Sequence, residues 1–76
     1  MNKARREQVE KAYFHIEQAQ ALIQEAQAGE QEAFDNLPEN LQQSERGQEW
    51  AQAADTLAAV ASSLDDAFTE LGAIAL

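Results

Sequence analysis

The strongest constraint on this chain is a seven-residue apolar repeat in its second half. Trp50, Leu57, Leu64 and Leu71 recur every seven residues. Ala53, Val60, Ala67 and Ile74 follow them by three, and Ala54, Ala61, Phe68 and Ala75 by four. All twelve positions are apolar. An α-helix converts this period into one continuous stripe, whereas a strand would scatter it over two faces. Three columns make the stripe wide, as in a helix buried against more than one neighbour. Glu49, Gln52, Asp55, Asp65, Asp66, Thr69 and Glu70 fall on the outer face.

The first half repeats the pattern less regularly. Val9, Ile16, Ile23 and Leu37 share one seven-residue series, interrupted by Glu30. Ala12, Ala19, Ala26 and Ala33 fill the paired series, and alanine there lets a neighbouring helix approach closely. Tyr13 and Phe34 widen the stripe at its ends, and Leu22 lies on the other flank. Gly29 and Glu30 weaken the helix locally, which makes this the place for a bend or a loosened turn.

One break separates the two halves. It runs from Asp35 to Gly47 and holds the sole proline. Pro38 disfavours helical geometry at Leu37, so the first helix should end near Phe34 to Asn36. Pro38 also suits the first turn of a short helical segment through Leu41. Ser44 is the expected N-cap of the second long helix, with Gly47 awkward in its first turn. The sequence therefore predicts an all-α, antiparallel two-helix hairpin, with helices over about 3–35 and 44–75 and a loop over about 36–43. Residues 1–76 form a single domain on this reading.

A chain of 76 residues buries little core and needs further support. It has no cysteine, so disulfides and thiolate metal sites are not the source. Self-association is the remaining route, because two alanine-rich helices cannot bury Trp50, Phe68 and Tyr13 between them. A homodimer completing a four-helix bundle is favoured, with Trp50, Leu57, Val60, Leu64, Phe68, Leu71, Ile16 and Ile23 at the oligomer interface.

Charge is distributed unevenly. Residues 1–11 set Lys3, Arg5, Arg6 and Lys11 against Glu7 and Glu10, a net +2. Residues 12–76 set twelve carboxylates against Arg46 alone, a net −11. An acidic body repels nucleic-acid backbones and anionic membranes, attracts basic protein surfaces and aids solubility. No direct nucleic-acid or membrane partner is therefore expected. Hairpin pairing is expected to set the basic start beside Asp65, Asp66 and Glu70, closing the hairpin. No segment reads as a signal peptide or a membrane span, which points to the cytoplasm.

Nothing in the sequence assembles an active site. His15 is the only histidine, and its helical neighbours Lys11, Ala12, Gln18 and Ala19 include no carboxylate to orient it. No metal-binding, phosphate-loop or nucleophile motif occurs. The expectation is a non-enzymatic protein without cofactor or metal. Two residues stand out as candidate partner or ligand contacts. Phe14 lies beside the main stripe of the first helix, an anchor for a protein partner or a further buried residue of the oligomer. Arg46 sits where the second long helix begins. There it could bridge to Asp35 or Glu39, or meet an anion or acidic peptide.

Asp35-Asn36-Leu37-Pro38-Glu39-Asn40-Leu41-Gln42, followed by Ser44-Glu45-Arg46-Gly47, resembles a group of short, mostly uncharacterised proteins of bacteriophages, prophages and bacterial mobile elements. Those also place a Lys/Arg-rich start and an acidic helix before an Asn-Leu-Pro-Glu turn and a second helix. The resemblance implies a bacterial host cell as the setting. The leading expectation is thus a phage-type accessory protein that self-associates and binds a host or phage protein not identified by the sequence. The alternatives are an acidic, nucleic-acid-mimicking inhibitor of a DNA-handling or defence protein, and an oligomeric small-ligand trap using the loop and Arg46.

Overall fold

A computed structural model describes residues 1–75, with the side chain of Ala75 and all of Leu76 outside the description. The chain forms α1 (Lys3–Asp35), a single short turn of helix α2 (Glu39–Gln42), and α3 (Glu45–Ala75). The two long helices pack against each other along their length. No strand occurs among the described residues, so the fold is an all-α hairpin.

The ends follow from local chemistry. Asn2 caps α1, its side-chain oxygen accepting from the Arg5 amide at 2.8 Å. Helix α1 continues through Gly29 and stops at Asp35, just before Leu37-Pro38. Ser44 caps α3, its Oγ accepting from the Gly47 amide at 3.1 Å. The connection is closed by its own hydrogen bonds. The half-buried Gln42 side chain donates to the carbonyl of Phe34 (3.2 Å), in the last turn of α1, and to that of Leu37 (3.1 Å), in the connection. Gln48 Nε2 donates to the Gln42 carbonyl at 3.2 Å.

Gly47 is buried and required. A Cβ there would overlap the backbone carbonyls of Leu41 and Gln42. The glycine that looks misplaced in a first helical turn is what lets α2 lie directly on α3.

Burial reveals the seam. Along α1 half-buried positions run Val9, Tyr13, Ile16, Gln20, Ile23, Gln27, Glu30, Phe34 in alternating steps of four and three, with Ala19 and Ala33 half-buried beside them. Along α3 the same alternation runs Trp50, Ala54, Leu57, Ala61, Leu64, Phe68, Leu71, with Ala54 fully buried and Ala51, Ala53, Ala67 and Gly72 half-buried beside it. The second column in each helix is the one four residues on, not three. For α1 this corrects the expected alanine series in part: Ala12 and Ala26 are exposed and Ala19 and Ala33 half-buried, while Tyr13, Gln20, Gln27 and Phe34 are all half-buried along the seam. Larger side chains fill more of the gap between helices than alanine does, and two glutamines come with them.

The register is set by stacking of Tyr13 on Phe68, with ring centroids 4.3 Å apart, and by Gly72 accepting the edge of the Tyr13 ring. Gln20 then reaches Asp65, its Nε2 donating at 3.0 Å. Continued at about 1.5 Å per residue, this register sets Lys11 level with Gly72 and carries Lys3, Arg5 and Arg6 past Ala75. Asp65 is level with Gln20, roughly 20 Å along the axis from Arg6. The basic start therefore does not meet Asp65 and Asp66, and only Lys11 comes near the level of Glu70.

The two glycines give opposite expectations for substitution. Gly29 has nothing within 4 Å of an added Cβ, so Gly29→Ala should stabilise by about 0.5–1 kcal/mol. Gly47→Ala should destabilise by about 1–3 kcal/mol, because backbone must shift to admit it. Urea unfolding followed by helical circular dichroism checks both signs.

Candidate functional site

Helix geometry sorts the surface left outside the seam. The third column lies about 80° around each helix from the seam. In an antiparallel pair of right-handed helices with matching seam columns, the two third columns fall on the same side. One side of the hairpin therefore carries Ala12, Ala19, Ala26 and Ala33 from α1 beside Ala53, Val60, Ala67 and Ile74 from α3. No charged residue interrupts either column between its ends. Val60 is 39% exposed and Ile74 58%. Leu22, 66% exposed, stands at the outer edge of the same side. An open groove of about 610 Å³ enters the seam here, lined by Glu30, Glu49, Gln52, Ala53, Thr56 and Leu57.

The opposite side is acidic. It carries Glu7, Glu10, Glu17 and Asp35 on α1 with Asp55 and Asp65 on α3. Phe14 rises from this side, 61% exposed, its ring edge-on to Tyr13 at 5.8 Å. Glu10 and Glu17 lie one turn to either side of it. An exposed aromatic ring among carboxylates fits a protein surface that offers an apolar recess with basic residues around it.

The loop end holds a third feature. A recess of about 260 Å³ is lined by Leu37, Leu41, Ser44, Arg46, Gly47 and Trp50. The Arg46 guanidinium lies 5.2 Å from the centre of the Trp50 ring. The structure thus gives Arg46 an aromatic partner, and the loop-locking role expected of it falls to the Gln42 side chain. Gln42 was not singled out in the sequence; its place as the last residue of a Pro-initiated turn is the signal that marks it.

The residues expected at an oligomer interface are used differently within one hairpin. Trp50, Leu57, Leu64, Phe68, Leu71, Ile16 and Ile23 are half-buried in the seam, and Val60 faces outward. His15 is exposed. Among the described residues no group of three or more His, Asp or Glu is placed to hold a metal ion, and no helix is long and apolar enough to cross a membrane. Compared with protein-family models, curated proteins and solved structures, the chain matches none of them.

Trp50 reports directly on the loop end. Arg46→Ala should shift its fluorescence and cost about 0.5–1 kcal/mol of stability, the size of an exposed cation–π contact. Titration of inorganic phosphate or nucleotides should leave the wild-type emission unchanged; a saturable change lost in Arg46→Ala would instead mark the recess as an anion site.

Proposed function

We propose that this chain is a non-enzymatic, self-associating helical hairpin whose dimer binds a basic surface of another protein. The observation that carries the reading is the shortage of core. Ala54, 1% exposed, is the one fully buried hydrophobic residue among those described, while Phe14, Leu22, Leu41, Val60 and Ile74 stand exposed. The accessible surface is 5617 Å², against about 4600 Å² for a folded monomer of this mass. The radius of gyration is 17.0 Å, against about 11 Å for a compact chain of this length. A surplus of about 1000 Å² is comparable to the roughly 800 Å² that each partner contributes to a stable interface.

The two sides support two roles. The alanine-rich side suits close helix packing with another copy. The acidic side, with Phe14 as its aromatic anchor, suits a basic partner. The resemblance of the Asn-Leu-Pro-Glu loop to phage and mobile-element proteins supports a host or phage protein as that partner, in the cytoplasm of a bacterial cell.

Sedimentation equilibrium at micromolar concentrations should return twice the 8.4 kDa chain mass. A folded monomer at high micromolar concentration would contradict self-association. For the partner, Phe14→Ala should remain dimeric yet lose any protein that wild type captures from a bacterial host lysate. Equal capture by the two would remove Phe14 from the contact.

A further inference from the structure

The charges of α1 oppose its own dipole at both ends. Its first turn holds Lys3, Arg5 and Arg6 with no acidic residue, and its last turn holds Glu32 and Asp35 with no basic one. Each such charge disfavours the helix that bears it. The hairpin register gives the basic turn no acidic partner, because it carries that turn past the end of α3. These charges therefore act against the isolated hairpin and call for a partner beyond it.

The hairpin as a whole is polarised along its 58 Å length. One end carries the net +2 of residues 1–11. The loop end carries Glu30, Glu32, Asp35, Glu39, Glu45 and Glu49 against Arg46, a net −5. Between the ends, the alanine-rich side is uncharged along both third columns. A surface that is neutral in the middle and oppositely charged at its two ends is complementary to itself when one copy is turned end for end.

Resting on the self-association reading above, we infer that the alanine-rich side is the dimer interface and that the second copy lies on it antiparallel, with the two loops at opposite ends. In this arrangement α1 packs on α1 of the second copy, and α3 on α3. Overlap is greatest when the two-fold axis passes near Leu22 and Val60. Val60 then meets its own counterpart, and Ala12 meets Ala33 of the other copy. Arg5 and Arg6 reach the Glu39, Glu45 and Glu49 end of the other copy. The alternative, with loops together, sets basic start against basic start and acidic loop against acidic loop, and pairs Ala33 with Ala53 instead.

The absence of cysteine makes disulfide trapping in the full chain clean. On mild oxidation, Val60→Cys should form a covalent dimer. Ala12→Cys mixed with Ala33→Cys should couple faster than either variant alone. Coupling of Ala33→Cys with Ala53→Cys, while Val60→Cys stays uncoupled, would overturn the orientation. A wild-type dimer in which none of these pairs couples would overturn the choice of face. Sedimentation of the unmodified chain separates the two levels. A folded monomer removes self-association itself, whereas a dimer with the wrong crosslinks removes only this geometry. Independently, Arg5→Gln with Arg6→Gln should raise the dimer Kd several-fold. An unchanged or tighter Kd would contradict the end-to-end pairing, since the loops-together form loses repulsion in that variant.

Discussion

Everything in this structure hangs on a seam one side chain deep. Two helices meet along alternating steps of three and four, and the column four residues on contributes unequal material. On α3 it supplies Ala54, Ala61 and Phe68; on α1 it supplies Tyr13, Gln20, Gln27 and Phe34. Half-buried side chains realise only part of the roughly 1.5–3 kcal/mol that full burial of a large apolar residue yields. The seam fixes register through the Tyr13–Phe68 stack and orientation through the loop, but it leaves most large side chains partly wet. Incomplete burial is what the proposed self-association would relieve.

The connection is built more firmly than the seam. Gln42 ties the last turn of α1 to the connection through the carbonyls of Phe34 and Leu37, Ser44 caps α3, and Gly47 lacks the side chain that would hold α2 away from it. Such a closed turn holds the two long helices antiparallel without help from ion pairs. The basic start is thereby free of the role of fastening the hairpin. Its charges, unfavourable to α1 itself, are available to another molecule.

The long helices were legible because their ends carry chemistry that acts locally: Leu37-Pro38 marks the stop of α1 and Ser44 the start of α3 within a residue or two of where they fall. The choice of seam column was harder to read. In α3 both candidate columns are apolar, so polarity does not separate them. In α1 the alanine column is uninterrupted, and the true column is broken by Gln20 and Gln27. What decided it was volume, signalled by Tyr13 and Phe34, since a gap between helices is filled by rings and amides rather than by methyl groups. Register was not readable from charge, because it is set by the stacking of Tyr13 on Phe68 and the space that Gly72 leaves for the Tyr13 ring. Phe14 was legible as an outlier from the stripe, and its exposure among carboxylates follows directly from that position.

The hairpin thus has one thin seam, one alanine-rich side and one acidic side. If the hairpin draws its missing core from a second copy, association must stabilise the folded state by mass action. The most direct measurement is the thermal midpoint of helical circular dichroism over a hundredfold range of chain concentration. A midpoint that climbs steadily with concentration is the result this account requires, and a midpoint independent of concentration would contradict it.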